Sequence, residues 1–361
     1  MEWIEEADGV FRGGGVKGIA LTGALSGMAE HPTKPVTRWV NVAGASAGAI
    51  IACYLALGHT AAEMAALLEH TDFRRFQDPP WGSVGGAVSL VVRRGFARGD
   101  AFEEWFDGVL GGATFGEVTK KPEGGRTRDW RLKLIAVDVT NRDLLVLPDD
   151  LGRYRVPGRA GFIDPDEFPI SRAARMSMSI PYFFEPVVLE DVRGERALII
   201  DGGTLSNFPV WLFDAQKGEP PRWPTFGMLL VEGDPKVPVA RRVEAEEHGA
   251  VRGTVVDYIK ALASTMMEAH DRLYLEKATF VRTIPIPTVG VGTTEFDITP
   301  DRVQAIYGSG RKAAFGFLDR WDFEAYKAEY RSGKEHSRSE EIATRPAEPR
   351  SAPPSPDPAP A

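Results

Sequence analysis

A serine flanked by glycines two residues away on either side, Gly44-Ala45-Ser46-Ala47-Gly48, fits a sharp turn from strand to helix that leaves a hydroxyl standing clear of the sheet edge. Glycine is needed at both flanks, Gly44 and Gly48, because a side chain there would collide with the neighbouring strand or helix. Such a hydroxyl attacks ester carbonyls once a neighbouring base takes its proton. A second pattern, Arg12-Gly13-Gly14-Gly15-Val16-Lys17-Gly18, strings together backbone amides that can point into one small space and hold an anion. Gly13, Gly15 and Gly18 also stand at dinucleotide-binding spacing. The next strand, however, ends near Ala43 with no Asp or Glu to hold a ribose hydroxyl, and a phosphate loop of the Walker type fails because Ile19 and Ala20 follow Gly18. An inert turn is the bland alternative. Beside a serine nucleophile, amides of Gly14, Gly15 and Val16 would hold the negative oxygen that forms during attack on a carbonyl.

The serine needs a proton acceptor. None of the six histidines has an obvious catalytic context; His248 and His270 lie among charged residues in helical patterns. The chain order Ser46, Asp201, then His248 or His270 still permits a conventional triad. Asp201 is the better placed candidate, since it follows the apolar run Leu198-Ile199-Ile200 and precedes Gly202 and Gly203, at a strand end where open α/β sheets put their sites. An Asp-Gly turn that merely closes a strand is the structural alternative.

These residues require strands that end beside one another. Apolar runs at Val10 to Phe11, Trp39 to Ala43, Arg131 to Val139 and Phe226 to Val231 read as strands, and Gly18 to Ala29 and Ala47 to Leu57 as helices. Pro186 to Glu190 and Arg196 to Ile200 read as a hairpin turning at Arg193 and Gly194 and feeding into Asp201. The alternation implies an α/β fold: three layers, helices on a mostly parallel central sheet, with C-terminal helices added. Asp100 with Glu103 resembles a capping box for a helix Ala101 to Leu110 that closes at Gly111 and Gly112. Helical patterns run from Val251 to about Ala278 and from Pro300 to Trp321. Between Trp81 and Phe96, Val84, Val88, Leu90, Val91 and Val92 precede Arg93 and Arg94, which suits a lid or a contact with a lipid interface as well as a buried element with a charged exit. Beyond Tyr330 the sequence turns rich in Pro, Ser and Ala and reads as a disordered tail.

The chain has 361 residues, 43% hydrophobic, and a formal net charge of -8, which works against broad adhesion to nucleic acid. Cys53 is the only cysteine, so neither an internal disulfide nor a thiolate metal cluster can form. The acidic N-terminus lacks the pattern of a secretory peptide, and no apolar run reaches the roughly 20 residues that span a bilayer. A cytoplasmic protein with at most peripheral membrane contact is expected.

Three separated signals, GGGVKG at 13–18, GASAG at 44–48 and DGG at 201–203, together and in this order resemble the patatin-like phospholipase family. The stretches SMSIPYFFEPV at 177–187 and DGGTLSNFPV at 201–210 are similar to the family's segments around its final hairpin. The resemblance runs from about Asp8 to about Glu232. It implies a serine lipid acyl hydrolase that cleaves lipid carboxylic esters without metal or cofactor. Ser46 would be the nucleophile, Asp201 the base, and Gly13, Gly14, Gly15 and Val16 the oxyanion loop, with Lys17 orienting that loop. Arg12 departs from the acidic residue often found there. The implied organisation is a catalytic core at 1–235, a helical addition at 236–329 and a tail at 330–361. Two other readings stay open: an esterase with a Ser-Asp-His triad, and a non-catalytic lipid-binding or regulatory scaffold.

Overall fold

The computed structural model describes residues 3–69, 71, 73–76, 95–121, 128–205, 208–215, 219–231, 277–292 and 298–331. In chain order the strands are β1 (Glu6–Phe11), β2 (Arg38–Gly44), β3 (Gly95–Ala97), β4 (Thr119–Lys120), β5 (Asp129–Trp130), β6 (Leu132–Asp138), β7 (Asp143–Leu147), β8 (Tyr182–Phe184), β9 (Val187–Glu190), β10 (Arg196–Asp201), β11 (Thr225–Val231) and β12 (Thr283–Pro287). The described helices are α1 (Ile19–Ala29), α2 (Ala47–Ala56), α3 (Ala61–Glu69), α4 (Asp100–Leu110), α5 (Ile170–Ser177), α6 (Lys277–Val281), α7 (Pro300–Leu318) and α8 (Phe323–Tyr330).

Eight strands form one sheet in the order β12-β11-β1-β2-β6-β10-β9, with β7 also paired to β6, and helices cover both faces. From β12 to β6 all neighbours are parallel; β6 meets β7 and β10, and β10 meets β9, antiparallel. The parallel strands are buried on both faces, so they read as near-continuous apolar runs, and all seven residues of β6 are buried. The expected α/β layering and the hairpin into Asp201 are observed, with Gly194 at φ 78° in its turn.

The register explains why the candidate residues converge. On β6, Leu134 pairs with Gly44 of β2 and with Leu147 of β7, while Ala136 pairs with Asp201 of β10 and with Leu145 of β7. A strand has only two edges, so β2 and β10 share the edge opposite β7. They arrive head-on, one ending opposite Leu134 and the other opposite Ala136. Phe11, at the end of β1, pairs with Gly44, which sets the glycine-rich loop beside the same point.

Helices α1 and α2 are mostly apolar and buried from Ile19 to Met28 and from Ala47 to Ala56, as helices covered on both sides must be, with the buried hydroxyls of Thr22 and Ser26 each hydrogen-bonded. α7 lies on α1 at very close range through Gly23, Gly27 and Gly310. A Cβ on Gly310 would stand 1.9 Å from the Ala20 carbonyl oxygen, and one on Gly23 2.0 Å from that of Tyr307. Gly310→Ala is therefore expected to push the two helices apart and cost about 1–3 kcal/mol, read as a lower urea midpoint with an unchanged slope.

The segment expected as C-terminal helices also supplies β12, which extends the central sheet beyond β11. Its sequence, TIPIP, alternates apolar residues with prolines, and proline is tolerated because, among the described residues, β12 pairs with β11 alone and forms an edge of the sheet. Asp214 accepts from Arg282 Nη2 at 2.6 Å and Arg331 Nη2 at 2.8 Å, so α8 and the residue before β12 grip the stretch that follows Asp201.

The Asp100 and Glu103 capping box is not formed. Gly99 is the N-cap at φ 80°, beneath the Arg175 guanidinium, which leaves no room for a side chain; Asp100 is the first helical residue and Glu103 pairs with Arg172 at 2.7 Å. The helix does close on Gly111 at φ 65°. Reciprocal boxes occur instead at Thr60 with Glu63 and at Thr114 with Glu117. Residues 81–94 of the expected lid, the helical pattern at 251–276 and the tail from 332 lie outside the described residues.

Candidate active site

Ser46 sits between β2 and α2 with φ 53° and ψ -128°, a backbone region costly for any residue but glycine. Three glycine contacts make the turn this tight. A Cβ on Gly44 would lie 2.2 Å from the Gly48 carbonyl oxygen, and one on Gly48 2.1 Å from that of Phe11, so β2, α2 and β1 touch backbone to backbone. Gly18, closing the glycine-rich loop, packs on the Ala47 methyl, which a Cβ would approach to 3.2 Å.

Asp201 is fully buried at the end of β10. Its amide donates to the Ser179 carbonyl oxygen at 2.9 Å, and its Oδ1 accepts from the Gly203 amide at 2.7 Å. Gly202 is forced to be glycine, because a Cβ would stand 2.3 Å from the Ile135 carbonyl oxygen. Burial pushes the Asp201 carboxyl from its ordinary 3.8 up to about 7; the Gly203 amide and the Ser46 hydroxyl pull it back only in part. The hydroxyl thus acts on the carboxyl as a hydrogen-bonding neighbour, yet no bond of full geometry joins them. Among the described residues, Ser46 Oγ and Asp201 Oδ2 are both buried with no hydrogen-bond partner. The two groups are close enough to influence each other, but their hydrogen bond is only loosely aligned.

The glycine-rich loop leaves β1 at Arg12 and curls into a 3-10 turn, Gly15–Gly18, with Gly14 at φ 172° and Gly15 at φ 57°. Lys17 N–H closes the turn onto the Gly14 carbonyl oxygen at 3.2 Å. The amides of Gly14, Gly15 and Val16 donate to nothing among the described residues, and neither does that of Ala47, the first helical residue after Ser46. An array of unpaired amides at a helix start favours negative charge. Lys17 is itself buried, and Arg12 Nη1 donates to the Leu230 carbonyl oxygen at 2.5 Å, so that cation is turned to the end of β11.

The structure brings Ser46, Asp201 and the loop Gly13 to Gly18 to one place, as their strand registers require. His248 and His270 lie outside the described residues. Of the histidines inside them, His31 contacts Asp319 at 3.2 Å and His59 stacks on Tyr54, and no histidine bonds to Asp201 among the described residues. Sequence reading missed Ser177 and Ser179. The hydroxyl of Ser177 donates to the Ile135 carbonyl oxygen at 2.6 Å and accepts from Ser46 N–H at 3.2 Å, while the Ser179 carbonyl holds Asp201. Their signal was present: two serines in an otherwise apolar stretch must each find a partner once buried.

Comparison with known proteins bears on the fold and the family. The chain is 37% identical over 323 residues to YqhO of Bacillus subtilis, an uncharacterized protein, covering 88% of this chain and 99% of that one. R571 of Acanthamoeba polyphaga mimivirus, also uncharacterized, is 26% identical over 203 residues, 56% of this chain and 59% of that one. Among solved structures, VipD from Legionella pneumophila superposes with a TM-score of 0.50 at 18% identity, over 88% of this chain and 67% of that one, which is a likeness of fold. The patatin-like phospholipase profile matches residues 9–214, a span that opens inside β1 and ends at the anchored Asp214, and so takes in the glycine loop, the serine turn and the buried aspartate. With more than half its length covered by that match, the chain belongs to the patatin-like phospholipase family.

Proposed function

We propose that this protein is a serine lipid acyl hydrolase that cleaves carboxylic esters of phospholipids or related lipids through a Ser46 and Asp201 dyad. The observation carrying this reading is the pair of buried atoms, Ser46 Oγ and Asp201 Oδ2, that have no hydrogen-bond partner among the described residues, beside loop amides that donate to nothing among those residues. A buried polar atom without a partner costs about 1–3 kcal/mol, and a fold that keeps two together has a use for them.

In the proposed reaction Asp201 takes the hydroxyl proton as Ser46 Oγ attacks the ester carbonyl. The developing oxyanion is held by Gly14, Gly15 and Val16 amides, within a loop whose backbone Gly13 completes, each donor contributing about 2.7–4 kcal/mol. The tetrahedral adduct collapses, the alcohol portion leaves with the proton from Asp201, and an acyl-serine remains. Water then gives a proton to Asp201, attacks the acyl-serine, and the fatty acid departs as the proton returns to Ser46. Lys17, buried under the loop, serves its shape. Substrate meets the protein at a lipid surface, so the reading carries peripheral membrane contact with it.

A base works only when unprotonated. With the carboxyl near 7, kcat/KM is expected to rise with pH and level off above an apparent pKa of about 7, in place of the plateau from pH 5 that an ordinary carboxylate would give. The direct test is labelling with a fluorophosphonate probe, with the modified residue located by mass spectrometry, alongside a mixed-lipid hydrolysis screen. Adduct on Ser46 and release of fatty acid are expected. An unlabelled protein that still binds lipid vesicles would leave the non-catalytic scaffold as the better reading.

A further inference from the structure

Ser46 is held in a strained conformation, and something must hold it there. A non-glycine residue at φ 53° and ψ -128° costs about 1–3 kcal/mol and persists only where its surroundings over-determine it. Its own amide is shared between two acceptors on one residue, the Ser177 carbonyl oxygen and the Ser177 hydroxyl, both at 3.2 Å. That hydroxyl in turn donates to the Ile135 carbonyl oxygen at 2.6 Å. Ile135 stands on β6 between Leu134, which pairs with Gly44, and Ala136, which pairs with Asp201.

Resting on the Ser46 and Asp201 reading, we propose that Ser177 is the positioning residue of the dyad. Its hydroxyl pins the serine turn to the one β6 residue midway between the two registers and thereby sets the separation of nucleophile and base. Two residues on, the Ser179 carbonyl takes the Asp201 amide at 2.9 Å, so a single short segment holds both partners. Arg175 fastens the segment: Nη1 donates to Ser179 Oγ at 2.5 Å and Nη2 to the Glu185 carbonyl oxygen at 2.8 Å. With the Ser46 amide so engaged, it faces the scaffold and the oxyanion falls to the glycine loop. Ser177 is fully buried, so it acts through Ser46.

The test compares wild type, Ser177→Ala and Ser177→Cys by steady-state hydrolysis of a short-chain chromogenic ester, by the fluorophosphonate labelling rate of Ser46 and by thermal unfolding. A small misplacement at a reacting centre costs roughly 10–100-fold, so Ser177→Ala should lose that much in kcat and in labelling rate while KM stays within about twofold. Ser177→Cys keeps the volume with a weaker hydrogen-bonding group and should fall between the two. If Ser177→Ala does not fold, the kinetics of Ser177→Cys decide. A variant labelled and turning over at the wild-type rate overturns the positioning role and leaves the dyad standing. Wild type that is neither labelled nor active on any ester removes the dyad reading, and this inference with it.

Discussion

Asp201→Asn is expected to fold, to bind lipid and to lose about 10^3–10^4-fold in kcat/KM while becoming more stable at pH 8. The amide cannot take the Ser46 proton, which accounts for the activity. It can still accept from Gly203 through its oxygen, and its NH2 can donate to the unpartnered Ser46 Oγ. The stability gain follows from linkage. In the folded protein the carboxyl titrates near 7, in the unfolded chain near 3.8. Below about pH 4 both states hold the proton and burial carries no charge penalty. As pH rises toward 7 the unfolded chain releases its proton first, so unfolding is favoured, and above 7 the folded state bears the full cost of a buried charge. Three units correspond to at most about 4 kcal/mol, and relaxation around the charge brings this to roughly 2–4 kcal/mol. Melting curves of the two proteins should therefore coincide near pH 4 and separate by pH 8, with the variant higher. Full activity in a folded variant would remove Asp201 as the base. Coincident curves at pH 8 would mean that the carboxyl titrates in the ordinary range.

The meeting of the serine turn, the glycine loop and Asp201 at neighbouring strand ends was legible in the sequence because these parts are made of residues that backbone geometry forces. Gly44, Gly48 and Gly202 each face a backbone carbonyl from elsewhere in the fold within 2.4 Å of a would-be Cβ, and such glycines can be read without knowing the partner. The long buried strands were legible for the same reason: parallel strands covered on both faces must be apolar. What could not be read depends on partners distant in the chain. Asp100 with Glu103 has the spacing of a cap, but Arg175, seventy-odd residues away, occupies the space over Gly99 and the helix starts there. Thr60 with Glu63 has the same spacing and does cap, since only local groups are involved. Ser177 looked like any serine before a hairpin until Ser46 and Ile135 came to it from 131 and 42 residues away. β12 was missed because its prolines argue against a strand unless it is known to lie at an edge.

Gly48→Ala adds one methyl group and is expected to be the most damaging single substitution outside the dyad. The added carbon would stand 2.1 Å from the Phe11 carbonyl oxygen, 2.6 Å from its carbon and 2.9 Å from the Arg12 carbonyl oxygen. All three are backbone atoms at the end of β1, so no side chain can turn aside, and the start of α2 must move off the strand. That shift moves Ser46 away from the loop that begins at Gly13, and so separates the proposed nucleophile from the amides proposed to hold the oxyanion. Activity should fall by at least about 100-fold and stability by about 1–3 kcal/mol. A matching exchange separates sterics from the general effect of replacing glycine. Gly108 lies exposed in α4 with nothing within 4 Å of a would-be Cβ. Gly108→Ala should raise stability by roughly 0.5–1 kcal/mol through helix propensity and leave hydrolysis unchanged. If Gly48→Ala instead behaved like Gly108→Ala, with raised stability and full activity, the backbone contact between the serine turn and β1 would not exist. The convergence of the three strand ends, on which the Ser46 and Asp201 mechanism depends, would then have to be abandoned.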